Sequence, residues 1–225
     1  MDWKKYTSAF VITSIIFFTA ITLSSYFNDK RIDEIKSIEN TIAVDILSLE
    51  TEFELFQELS CDRVAEKPVL SSELGSLGQR LNYTERSLGT NNTEVMRLKQ
   101  SYSLLEIKDF LLMKQIAEKC DNIDPIFIFY FYSNSGDCKD CTKEGHVLTA
   151  LKQKYPTVRI YSFDYHLALS VLKTFISINN IENNLPALLI DDTVYYGFHS
   201  VEDIEEILPE LEELQKIDEE RGEEV

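Results

Sequence analysis

The sequence predicts an α/β domain of element order β-α-β-α-β-β-α, set behind an apolar N-terminal helix and an antiparallel three-helix stalk. Three observations predict it. Residues 6–27 carry no charge, residues 35–116 hold three apolar stripes at helical spacing, and from Ile126 short continuous apolar runs replace the helical period. At 225 residues and 44% hydrophobic content, the chain can bury one ordinary core and still carry an additional element.

The first element is an anchor. The 22 residues from Tyr6 to Phe27 include Phe10-Val11-Ile12 and Ile15-Ile16-Phe17-Phe18. As a helix they span roughly 33 Å, the thickness of a bilayer's hydrocarbon core. A cleaved signal peptide is the alternative, but its apolar region runs about 7–15 residues and ends on small side chains. Here the run is longer and closes on Tyr26-Phe27, bulky aromatics suited to an interface. Residues 1–28 are therefore read as a transmembrane anchor that meets the membrane through residues 6–27. Lys4 and Lys5 on one side are matched by Lys30, Arg31 and Lys36 on the other, so the positive-charge count does not orient it. The simplest arrangement is a single-pass signal-anchor, with the N-terminus cytoplasmic and the C-terminal domain extracytoplasmic.

Residues 29–121 read as the stalk. Ile35, Ile42, Ile46, Leu49, Phe53 and Phe56 share one helical face. After Pro68, Leu70, Leu74, Leu77, Leu81 and Leu88 repeat the pattern until Gly89 offers a stop. Beyond the Asn91-Asn92-Thr93 turn come Val95, Leu98, Tyr102, Leu105, Leu112 and Ile116. Helices joined by short connections pack antiparallel, which brings Cys61 and Cys120 to the same end. A structural disulfide between them would contribute on the order of 4 kcal/mol in the chain-entropy model. Two unrelated thiols are the alternative, and mass mapping with and without reductant separates the two.

Residues 122–215 form the α/β domain. Ile126–Tyr132 reads as a strand buried on both faces, and Thr157–Tyr161 as a second, with a helix from Cys138 to about Lys154 between them. A helix over Tyr165–Ile178 leads to Leu185-Pro186 and the strand Ala187–Ile190. Asp191-Asp192 turns the chain into Thr193–Tyr196, and Ser200 caps a final helix carrying Val201, Ile204, Ile207, Leu208 and Leu211. An acidic tail, 216–225, follows. The net charge of -17 is concentrated near this end: residues 201–225 hold twelve acidic and two basic side chains. Such a surface repels nucleic acid and anionic membrane.

The chemistry resides in Cys138-Lys139-Asp140-Cys141, between the first strand and its helix. Unpaired N–H groups and the dipole at a helix start stabilise a thiolate, lowering the Cys138 pKa below the free value of about 8.5. Cys141, one turn on, is placed to resolve a mixed disulfide. Lys139 favours the thiolate and Asp137 and Asp140 oppose it, so the sequence does not fix the direction of electron transfer.

In element order, in the C-x-x-C after the first strand, in Pro186 before the third strand and in Gly197 after the terminal hairpin, residues 124–215 resemble the thioredoxin superfamily. The resemblance implies that Cys138 and Cys141 are catalytic, that Leu185 and Pro186 border the substrate site with a cis bond before Pro186, and that the partners are protein thiols and disulfides. The redox partner that resets the pair is unknown. No cofactor beyond the dithiol and no metal is implied. The chain departs from cytosolic thioredoxins by having Asp137 before the first cysteine, Lys-Asp between the two, and Phe131-Tyr132 late in the first strand. No internal base for the Cys141 proton is evident.

Two further readings of the pair remain: a structural disulfide, and half a metal site with His146. The second falls short because no second C-x-x-C completes a tetrahedral ligand set. His166 and His199 read as ordinary surface or core histidines. Function therefore divides into two classes: a membrane-anchored thiol-disulfide oxidoreductase, or a non-catalytic scaffold whose helical stalk binds partners.

Overall fold

Helix α1 (Phe10–Phe27) exposes Phe10, Ile16, Phe17 and Phe18 together with the rest of its apolar side chains. Thr19 Oγ1 donates to the carbonyls of Ile15 and Ile16, and Thr22 Oγ1 to those of Phe18 and Thr19. A hydroxyl satisfied by its own helix brings little unpaired polarity into hydrocarbon. Among the described residues, α1 is the one helix long and apolar enough to cross a membrane. The computed structural model describes residues 10–27, 69–120 and 125–211, with isolated helical positions between 3 and 54. Most of the expected first stalk helix, together with Cys61 and the acidic tail, lies outside the described residues. By its contacts the chain forms two compact units, Met1–Asp45 and Ile46–Val225.

In the second unit, α2 (Val69–Leu88) and α3 (Thr93–Lys119) form a helical hairpin. Gly89, at φ +89°, closes α2 by donating its N–H to the Glu85 carbonyl at 2.8 Å. Asn92 opens α3, its Oδ1 accepting the N–H of Glu94 at 2.8 Å. Leu74, Leu77 and Leu81 are buried as their spacing predicts, and so are Val95, Leu98, Leu105, Leu112 and Ile116. At Gly78 the helices approach so closely that a Cβ would lie 2.7 Å from the Tyr102 hydroxyl.

The sheet contains β1 (Phe127–Tyr132), β2 (Arg159–Asp164), β3 (Ala187–Ile190) and β4 (Thr193–Tyr196), in the order β2-β1-β3-β4. β1 and β2 are parallel, and the other two pairings are antiparallel. Helix α4 (Cys141–Lys154) connects β1 to β2, α5 (Ser170–Ile178) lies between β2 and β3, and α6 (Val201–Ile207) ends the domain. The last three elements begin where the sequence places them. Asp191 and Asp192 both adopt positive φ, the geometry of a two-residue hairpin turn, and Ser200 forms a capping box with Asp203.

Alternation along β1 sorts the core. Ile128 and Tyr130 join Leu148, Leu151, Leu188, Ile204 and Leu208 on the face covered by α4 and α6. Phe129 and Phe131 face the other way and meet Phe163 and, from α5, Phe175. Phe110 of α3 completes this second layer, edge-on to Phe127 and Phe129 at 5.1 and 4.8 Å between centroids.

Helix α3, whose residues the sequence reading counts in a stalk over 29–121, packs on the sheet through Phe110. Polar side chains fix the seam. Asp109 Oδ2 accepts from Arg159 Nη1 at 2.7 Å and from the Tyr161 hydroxyl at 2.6 Å, and Glu106 Oε1 accepts the Ser162 N–H at 2.8 Å. Burial, foremost, holds the Glu106 carboxyl well above the usual carboxylate range. Asp109→Ala should lower the unfolding free energy by about 3 kcal/mol, since it strips Arg159 and Tyr161 of a buried partner. Urea unfolding measures this, and a loss below about 1 kcal/mol would mean the seam is held by apolar contacts alone.

Candidate active site

Register brings the predicted site residues to one end of the sheet. β1 runs into the loop carrying Cys138, and Phe131 pairs with Ala187, so Leu185 and Pro186 lie just past the same end of β1. The Leu185–Pro186 peptide is cis, Pro186 is buried, and its carbonyl accepts the Gly197 N–H at 2.8 Å. The β2 strand ends there too, at Asp164, opposite Tyr132.

Cys138 and Cys141 are disulfide-bonded, with Cα atoms 5.5 Å apart. Cys138 is half-buried, whereas Cys141 is 5% exposed. Helix α4 starts at Cys141 rather than at the predicted Cys138, with Asp140 as the capping residue. The Asp140 side chain forms no capping bond, although its carbonyl accepts the Glu144 N–H at 2.9 Å. Cys138 thus stands two residues ahead of the cap, at the end of the helix where the first N–H groups lack helical partners. The inner sulfur is sheltered while the outer one is partly open.

Comparison with protein-family models, curated proteins and solved structures finds no match.

Glu144 is fully buried, one turn beyond Cys141 on the same face of α4. Helical side chains lean toward the N-terminus, a direction that takes a side chain at position 144 toward the turn opened by Cys141. Glu144 Oε2 accepts the His199 N–H at 2.8 Å, and Oε1 has no hydrogen-bond partner among the described residues. Burial pushes its pKa up to about 7, with Asp203 and Asp140 adding to the rise and the His199 N–H and Lys143 opposing it. Such a group exchanges protons near neutrality, and it stands where the sequence shows no evident base. The signal lay in Cys141-x-x-Glu144, indistinguishable in sequence from an ordinary acid in the first turn of a helix. The Tyr130 hydroxyl secures this turn from β1 by donating to the Cys141 carbonyl at 2.5 Å.

On the other side of Cys138, both oxygens of Asp137 are engaged. The Ser133 hydroxyl donates to Oδ1, and His166 Nε2, 2.8 Å away, donates to Oδ2. The Ser133 bond, followed by the His166 bond, holds the Asp137 carboxyl below the usual carboxylate range. His166, read from sequence as an ordinary histidine, is in this way joined to the residue preceding Cys138. His146 is exposed on α4, and His199 meets Glu144 through its backbone.

Cys120 is buried at the C-cap of α3. Cys61, its expected disulfide partner, lies outside the described residues.

Proposed function

We propose that the protein is a membrane-anchored thiol-disulfide oxidoreductase of thioredoxin-like fold, exchanging disulfides with protein substrates through Cys138 and Cys141. The supporting observation is the asymmetry of the bonded pair, one sulfur partly open and the other buried at the first residue of a helix. The strand order, with β1 parallel to β2 and antiparallel to β3, also suits this fold. Helix α1 serves as the anchor, and the domain faces an oxidising extracytoplasmic space in which a Cys61–Cys120 bond would persist.

In the reducing direction, the Cys138 thiolate attacks one sulfur of a substrate disulfide. A Cys138–substrate bond forms, and the other substrate sulfur leaves as a thiolate. Cys141 then loses its proton to the Glu144 carboxylate and attacks Cys138 Sγ. The second substrate thiolate departs and the Cys138–Cys141 bond closes. Two electrons pass from the pair to the substrate; the reverse sequence oxidises a substrate dithiol. Leu185 and the Pro186 backbone flank the bound segment.

A turnover assay tests the reading. The full chain in nanodiscs should catalyse dithiothreitol-dependent insulin reduction or refolding of a scrambled disulfide protein, and Cys138→Ser should reduce the rate to background. Equal rates for the two proteins would favour the scaffold reading, for which the hairpin fused to the sheet supplies a broad surface.

A further inference from the structure

The loop that carries Cys138 is gripped from two directions, and both grips lead to one buried cation. Asn134 Nδ2 donates to Glu85 Oε1 of α2 at 2.9 Å, while His166 holds Asp137 on the opposite side of the loop. Behind them, the Lys99 side chain of α3 is only 4% exposed. Its ammonium donates to the same Glu85 Oε1 at 2.9 Å and to Asp164 Oδ2 at 2.8 Å. It also lies 5.6 Å from the ring centroid of Tyr132, the last residue of β1. Asp164 Oδ1 in turn accepts the His166 N–H at 3.1 Å. One arm runs from Lys99 through Glu85 to Asn134, and the other through Asp164 and His166 to Asp137, the neighbour of Cys138.

We propose that Lys99 is a positioning residue for Cys138, which makes the α2–α3 hairpin part of the exchange site. The proposal rests on the redox reading of the pair. Its physical content is that a buried ammonium holds two carboxylates together. Without it, Glu85 and Asp164 repel one another, because like charges in a partly buried site are weakly screened. The contacts to Asn134 and His166 then loosen. The loop moves away from the geometry in which the Cys138 anion faces the free N–H groups at the start of α4, and the thiolate loses stabilisation.

The test uses the full chain in nanodiscs, reduced, with peptide mapping to follow alkylation of Cys138 by iodoacetamide from pH 5 to pH 9. The reduction potential of the pair is measured in parallel against glutathione. Lys99→Met should move the alkylation inflection upward by about one pH unit, a roughly tenfold loss of rate at pH values below both inflections, with the limiting rate at high pH retained. Asn134→Ala, at an exposed loop position, should move it the same way by a smaller amount, and both potentials should shift from wild type. A fall in thermal midpoint with inflection and potential unchanged would reduce Lys99 to a structural role and overturn the proposal. If Lys99→Met does not fold, Asn134→Ala decides by the same criterion. A wild-type Cys138 that alkylates like a free cysteine would overturn the redox reading, and this proposal with it.

Discussion

Cys141→Ser should turn the protein into a trap for its substrates. The variant keeps the partly open Cys138 but lacks the sheltered sulfur that displaces what Cys138 captures. A resolving thiol one helical turn away acts intramolecularly, and effective molarities for such reactions are large enough that losing it costs at least about a thousandfold in turnover. Under the proposed function, mixed disulfides with an oxidised protein should therefore accumulate until they account for most of the variant. Non-reducing electrophoresis and mass mapping to Cys138 would detect them. Cys138→Ser should form none at this site, because the sulfur left in the pair, that of Cys141, is buried. Turnover at the wild-type rate in Cys141→Ser would remove that residue from the mechanism.

Glu144 carries the second large effect, on stability as well as on rate. Its carboxyl has an ordinary pKa of 4.5 in the unfolded chain and one raised to about 7 in the folded one. Between these values the folded state binds more protons than the unfolded state, so the unfolding free energy falls as pH rises. The loss begins near the unfolded value and is complete above the folded one. A shift of this size corresponds to a few kcal/mol, on the order of 3. Glu144→Gln keeps an oxygen for the His199 N–H and removes the titration. The variant should therefore match wild type near pH 4 and exceed it by that margin at pH 8. Urea unfolding at several pH values, taken as variant minus wild type, isolates the effect from other buried acids such as Glu106. A difference that does not vary with pH would mean Glu144 does not titrate in this range. The same substitution should erase an inflection near pH 7 from the rate at which Cys141 resolves a mixed disulfide.

The parts of the molecule legible in sequence are those whose signal is local. Ala187–Ile190 and Thr193–Tyr196 were bounded by Asp191-Asp192, two residues that tolerate positive φ, and Ser200 announced its own helix start. The Cys138–Cys141 bond was legible because cysteines three residues apart beside a helix start lie within bonding distance. Other features depended on distant partners. Tyr165–Leu169 reads as helix, but Asp164 turns the chain there: its side chain accepts the His166 N–H and its carbonyl the Leu167 N–H. On α3, Lys99, Glu106 and Asp109 carry no local signal, since helical spacing is the same whether a polar stripe meets water or an adjacent strand. Only the fold shows that they meet Glu85, Ser162 and Arg159. Asp137 and His166, 29 residues apart, were similarly beyond local reading.

The Glu106–Ser162 bond has a consequence beyond the hairpin. β2 borders the sheet, and a bordering strand ordinarily offers unpaired amides to any extended polypeptide, including another copy of the same chain. At Ser162 such a visitor meets a carboxylate where it needs a vacant donor, with the rest of α3 behind it. Strand addition, whether by a client protein or as a first step in aggregation, is thereby directed to the far margin of the sheet, along β4.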